Sequence, residues 1–193
     1  MAAASRWDMV IAPGQQAPAL SGKDKFLTGA RDSVTPSSMV GWVISAGWSH
    51  VLDSSPNYGT DKGAFGQRLG AAAIRGMSED ILSTSIMAPV FHEDPRYYRM
   101  GRRGHSLTQR AVYAATRVFI TRTDSGRETA NLSLITGDLG ASALTNAYYP
   151  ARNRTAGRTL WTFGATLGGA ALGFGVDEFL DDALEMVHLK KSE

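Results

Sequence analysis

The sequence predicts an all-α fold, a glycine-rich bundle of about five helices that is either membrane-embedded or membrane-associated. Three observations carry this. Alanine recurs through every long segment, and β-branched alternation is never sustained. Two stretches carry no formal charge: twenty residues from Ser33 to Leu52, and eighteen from Thr159 to Val176. A helix that spans a bilayer needs roughly 20 predominantly apolar residues, so both lie near the required length. Glycines also recur four apart, as in Gly164/Gly168 and Gly169/Gly173. That spacing strips side chains from one helical stripe and lets two backbones approach.

Residues 1–21, with Pro13 and Pro18, read as an irregular tail. Residues 22–188 read as one helical domain and 189–193 as a short charged tail. The first helix is expected over 36–52, opened by Thr35-Pro36, a cap residue followed by proline in the first turn. The run Ser54-Ser55-Pro56-Asn57-Tyr58-Gly59 is a turn. A second helix is expected over 61–91, bent at Pro89. A third covers 105–122 and ends at Thr123-Asp124-Ser125-Gly126. The fourth covers 127–148 and stops before Pro150. A fifth covers 155–187. Buried helices of a soluble bundle remain an alternative to membrane contact. A small β-barrel would also use many glycines, but it would need period-two alternation that the chain lacks.

Composition bounds the function. A chain of 193 residues, 43% hydrophobic and 20% charged, suits one folded domain. The formal charge of +2 hides an uneven distribution. Eight arginines lie between positions 96 and 127 against one acid, Asp124, while six acids follow Val176 against Lys190 and Lys191. A basic middle and an acidic end imply mutual attraction or a basic face for an anionic partner. Cysteine is absent, which excludes thiolate chemistry and disulfides. The start Met1-Ala-Ala-Ala-Ser-Arg-Trp-Asp lacks the basic stretch and apolar run of a signal peptide. Two alternatives follow, a cytoplasmic chain or a mature form already relieved of its leader.

Glycine in a helix costs roughly 1 kcal/mol relative to alanine, so Gly164, Gly168, Gly169 and Gly173 are expected to serve close helix packing. Gly63, Gly66 and Gly70, and Gly137 with Ala141, repeat the theme. In the third helix Arg103, Arg110 and Arg117 recur every seven residues and form one narrow stripe. Such a ridge suits lipid headgroups, an acidic neighbouring helix such as the C-terminal segment, or solvent.

Three polar clusters are candidate sites. His92-Glu93-Asp94-Pro95-Arg96-Tyr97-Tyr98-Arg99 offers an imidazole, two carboxylates and two arginines. Consecutive residues point apart on a helix or a strand, and no His-Glu-x-x-His pair is present, so no metal or catalytic residue is expected there. Asp94 is expected to cap a helix beginning at Pro95, with Glu93 and Asp94 attracting Arg96, Arg99 or Arg122. In Thr121-Arg122-Thr123-Asp124-Ser125-Gly126-Arg127, Asp124 or Ser125 is expected to cap the next helix, and a phosphate fits between Arg122, Arg127 and that helix start. Binding is therefore assigned to Arg96, Tyr97, Tyr98, Arg99, Arg122, Asp124 and Arg127. The third cluster, Asn146-Ala147-Tyr148-Tyr149-Pro150-Ala151-Arg152-Asn153-Arg154, repeats tyrosine beside arginine, which suits a membrane–water boundary. No phosphate loop, nucleophile elbow, dinucleotide fingerprint or nucleic-acid motif is present. No cofactor is expected.

The blocks HEDPRYYR, TRTDSGR and NAYYP resemble signatures of an uncharacterised family of bacterial envelope proteins, over roughly Tyr58 to Leu180. The resemblance implies a cell-envelope location and brings no activity, cofactor or catalytic residue. The leading expectation is a non-enzymatic, helical, membrane-associated envelope protein, an oligomer or a structural subunit of a larger complex. Its expected partners are copies of itself or other subunits, and anionic lipid, with no nucleic acid. The alternatives are a soluble binding protein for an anionic ligand, a phosphate or lipid headgroup, and a hydrolase centred on His92, Glu93 and Asp94.

Overall fold

A computed structural model describes residues 3–186. The expected tail 189–193 and the last residues of the expected domain lie outside the described residues. The chain is mostly helical, with two small sheets at one end.

Residues of the expected N-terminal tail are ordered against the rest of the chain. Strand β1 (Val10–Ile11) pairs in parallel with β3 (Tyr97–Tyr98), and Ile11 is buried. Helix α1 (Gly22–Asp32) was not among the expected elements. Its start is a capping box in which Ser21 and Asp24 satisfy each other's backbone N–H groups. Helix α2 (Pro36–Val51) begins as the sequence predicts, with Thr35 accepting from the Ser38 amide and Pro36 in the first turn. Asp53, Arg68 and the intervening loop then turn the chain into α3 (Ala64–Asp80).

The helical run beginning with α3 continues to Phe91, as a π-helical segment (Ile81–Met87) and α4 (Ala88–Phe91). The irregularity thus falls ahead of Pro89 rather than at it. Proline has no N–H and its ring collides with the carbonyl four residues back. A π turn avoids that collision by widening the register, and the Ala88 amide accordingly reaches back to the Ser83 carbonyl. His92, in the left-handed region at φ +54°, ends the helix.

Beyond it lies a correction to the expected helix at Pro95. The segment is extended: β2 (Glu93–Asp94) pairs with β4 (Ile120–Thr123), which pairs with β5 (Glu128–Ala130), all antiparallel. Asp94 therefore caps nothing. Helix α5 (Leu107–Thr116) is shorter than expected, because Ile120–Thr123 leaves the helix to join the sheet. The Asp124-Ser125-Gly126 turn closes a hairpin and leads to no helix. The fourth helix, α6 (Leu132–Leu144), starts instead behind the Asn131 side chain, which accepts from the Leu134 amide. Two short 3-10 turns then lead to α7 (Ala156–Met186). It is long and apolar enough to cross a membrane by length and composition.

The helices form an up-and-down bundle. α1 and α2 run antiparallel to the Ala64–Phe91 run, with Gly29 against Ser85 and Trp42 against Gly76. α6 crosses the π-helical segment so closely that a Cβ on Gly137 would lie 2.5 Å from the Ser83 backbone. α7 packs on α6 through its first half and on α5 through its second. At one end the sheets, α5 and the C-terminal half of α7 make a polar cap. At the other, Asn153 bonds to Asn57 and Ser55, and Tyr58 donates to the Tyr148 carbonyl at 3.1 Å.

Candidate functional site

The cap gathers the charges that the sequence separates. Asp94 holds Arg96 through two oxygens, with Nε at 2.8 Å and Nη2 at 2.7 Å. It also accepts from the Tyr98 hydroxyl at 2.6 Å. Burial, then that bond to Asp94, pushes the Tyr98 phenol up to about 12. Arg122 stands opposite Asp94 in the β2–β4 register, and its guanidinium lies 4.1 Å from the Tyr98 ring centroid. Glu93 turns the other way. Its carboxylate accepts from the Leu132 and Ser133 amides at 3.1 and 2.8 Å, closing the open end of α6.

A second knot ties the cap to α7. Glu178, fully buried, accepts from Arg110 Nε at 2.7 Å, Tyr97 Oη at 2.8 Å, and the Met100 and Gly101 amides at 3.0 and 2.9 Å. Arg110 also reaches Asp182, while Arg99 pairs with Asp181 and Arg102 with Asp182 and Glu185. The basic middle and the acidic end therefore meet within one chain. Burial, then the bond to Glu178, holds the Tyr97 phenol well above its ordinary range.

The expected binding residues separate into three groups. Arg96, Tyr97, Tyr98 and Arg122 line one partly open cavity of about 50 Å³. Arg99 and Asp124 do not: Arg99 is held by α7, and Asp124 is held by the buried Lys25 at 2.6 Å. Arg127 is exposed at the hairpin tip. The phosphate seat expected between Arg122, Arg127 and a helix start is not assembled, since the chain leaves Arg127 as a strand and Glu93 occupies the amides of α6. His92 is exposed and its neighbours are committed elsewhere, so His92, Glu93 and Asp94 do not converge. Among the described residues no group of three or more His, Asp and Glu side chains is placed to hold a metal.

Residues outside the expected binding set complete the cavity. Arg117 stacks on Tyr113 at 4.3 Å, and the Tyr113 hydroxyl donates to the Tyr98 carbonyl at 2.7 Å. Arg96 Nη1 and Arg117 Nε are buried N–H groups with no acceptor. The seven-residue arginine spacing pointed at Arg110 and Arg117 together. Only contacts distant in sequence show that one meets an acid and the other a cavity.

The bundle interior is polar as well. Arg75 Nη1 donates to Glu79 at 2.7 Å and to Thr166 at 2.9 Å, and Thr166 donates to Glu79 at 2.8 Å. Asp138 is buried on α6 nearby with no hydrogen bond or ion pair among the described residues. The fully buried Arg68 binds the carbonyls of Ser54, Pro56 and Gly59, fixing the far loop. By contrast, a Cβ on Gly164, Gly168, Gly169 or Gly173 would meet nothing within 4 Å, so within one chain these glycines face open space. Close packing inside the chain falls to Gly137, as the sequence predicts, and to Gly29 and Gly76, which the sequence does not single out. No family model, no curated protein and no solved structure matches this chain.

Proposed function

We propose that the chain is a non-enzymatic, membrane-embedded helical protein of the cell envelope, working as an oligomer or as a structural subunit of a larger complex. In this reading α7 crosses the bilayer, and α2, α3 and α6 pack beside it in the same apolar layer.

The observation that carries the proposal is the distribution of side chains across these helices. α2 buries Ala46 and Ser49 and exposes Val40, Val43, Ile44, Trp48 and Val51. α6 buries Ser133, Asp138 and Ser142 and exposes Leu132, Leu139 and Leu144. α7 buries Thr166 and Glu178 while Leu160, Trp161, Leu172 and Val176 lie outside. In water this pattern forfeits the burial that drives folding, and such continuous exposed apolar surface marks contact with a partner or a membrane. In lipid it is the stable arrangement, since intramembrane charges such as Arg75, Glu79 and Asp138 must face the bundle interior. The charge-free part of α7, Thr159 to Val176, supports the span: eighteen residues at 1.5 Å each give about 27 Å, close to the roughly 30 Å hydrocarbon layer. The exterior glycines of α7 support assembly with further copies or subunits. The three sequence blocks support the envelope location.

The test is fractionation of the native protein. It should stay with membranes through a high-salt and carbonate wash and require detergent for release. Recovery as a compact monomer without detergent would overturn the proposal. Assembly is read separately by light scattering in detergent, where Gly168→Ile should dissociate the oligomer without unfolding the chain.

A further inference from the structure

We infer that the partly open cavity lined by Arg96, Arg117 and Arg122 is a binding site for a single phosphate group, either free inorganic phosphate or the headgroup of an anionic phospholipid. The inference does not depend on membrane residence, because the cavity lies in the cap.

Its walls are built for an anion. Three arginines line it, and among the described residues no carboxylate does. Arg96 is 5% exposed, yet its Nη1 has no acceptor; the buried Nε of Arg117 has none either. A buried donor left without a partner is costly, and more so when it is charged. The nearby acids do not remove the surplus. Asp94 answers Arg96, and Glu128, mostly exposed, answers Arg117 at 3.1 Å. Among the described residues Arg122 pairs with no acid, and it rests on the Tyr98 ring. One positive charge, that of Arg122, therefore lines the space beside two arginines that each keep a buried N–H without an acceptor among the described residues.

Aromatic faces hold these groups in place before any ligand arrives. Tyr98 lies under Arg122 and Tyr113 under Arg117, and the Tyr113 hydroxyl locks the two tyrosines together through the Tyr98 carbonyl. Such stacking leaves the guanidinium edges free for bidentate contacts. A carboxylate offers two oxygens to three arginines, whereas a phosphate offers a tetrahedral set that each fork can share. The size agrees. About 50 Å³ is room for one small oxyanion. The position suits both sources. Ser83 and Thr84 of the π-helical segment and Phe174 of α7 close the cavity from the bundle side. A headgroup at the edge of the apolar layer would therefore sit at its height.

The experiment uses the full chain purified in a maltoside detergent, which carries no phosphate. Inorganic phosphate is titrated by calorimetry, and in a second arm the chain is mixed with vesicles containing phosphatidic acid or only a neutral glycolipid. The wild type and Arg103→Gln, an exposed arginine away from the cavity, should bind alike. Arg122→Gln should weaken binding by about tenfold or more, the loss of a charge-assisted contact, with Arg122→Lys recovering part of it. Added salt should weaken binding throughout. Phosphate binding that depends on Arg122 identifies the free anion. Binding seen only with phosphatidic acid, and dependent on Arg122, identifies the headgroup. Both outcomes support the site. If neither probe binds, or if binding ignores Arg122, the cavity holds only water and the inference fails. Should Arg122→Gln not fold, Arg117→Lys read against Arg103→Gln carries the same decision. None of these outcomes bears on whether the chain sediments with membranes.

Discussion

The bundle and the cap both bury charge, but they neutralise it differently. In the cap, charges meet partners from remote parts of the chain: Lys25 meets Asp124, Arg110 meets Glu178, and Glu93 meets the start of α6. Several carry more than one bond, so the cap is a cross-linked polar core that small two-residue strands alone would not hold. In the bundle, ion pairing is local. Arg75 and Glu79 sit one turn apart on one helix and share Thr166 of α7, and among the described residues Asp138 has no ion pair. The helices there are held by close backbone approach at small residues. The cap thus resembles the inside of a soluble protein, whereas the bundle depends on what surrounds it.

The comparison is broken most directly in the cap. Glu178→Ala should cost about 3–5 kcal/mol, because it strands Arg110 in a buried site and leaves the Tyr97 hydroxyl and two amides without their acceptor. Denaturant unfolding in detergent measures it. A loss below about 1 kcal/mol would mean that the cap is not knit by this carboxylate. The joint replacement Arg110→Met with Glu178→Leu should recover most of the loss, since a buried ion pair often breaks even against apolar groups of similar size.

In the bundle the matching lesion is steric. Gly137→Ala places a methyl 2.5 Å from the Ser83 backbone and should cost about 1–3 kcal/mol or more. Gly168→Ala meets nothing and should be neutral or stabilise the monomer by up to about 1 kcal/mol. Equal effects on thermal unfolding would remove the distinction between interior and exterior glycines.

An effect that pH can switch lies at the junction of α1 and α2. Burial pushes the Asp32 carboxyl up to about 6, against the pull of Arg31. A carboxyl whose folded value exceeds its unfolded one stabilises the folded state only while protonated. Its contribution is therefore complete below about pH 4 and lost as the pH rises through 6. Asp32→Asn should stabilise the protein by about 1–3 kcal/mol at pH 7 and by nothing at pH 3.5. A pH-independent gain would place the cost of Asp32 elsewhere.

These contrasts also explain what the sequence could disclose. The cap of α2 at Thr35-Pro36, the extent of α7 and the attraction between basic middle and acidic end are local or compositional, and all were legible. Helix α1 was also legible in principle, since Ser21-Gly-Lys-Asp24 spells a capping box, but its mixed charge hid it beside the tail. The strands were not. β2 and β3 are two residues each, too short to show alternation, and their register is set by partners far along the chain. The cavity was half legible. Arg96, Tyr97, Tyr98 and Arg122 stood out as a cluster, while Arg117 looked like one more member of a helical stripe. Lys25, whose partner lies 99 residues away, gave no signal. The polar face of α6 misleads for a different reason, since sequence reading assigns such a face to solvent, and here it is the buried one.

The π-helical segment fixes how the two halves face each other. Relative to an α-helix it carries one surplus residue, and each residue turns a helix by about 100°. Straightening the segment to an α-helix with every residue kept would swing the cap by about 100°, carrying Glu93 away from α6 and Asp94 away from β4. Deleting one residue between Ile81 and Met87 would remove the surplus and leave the two halves facing each other as they do now. The widened turn therefore works as an angular absorber: it takes up one extra residue so that the phase between bundle and cap is kept.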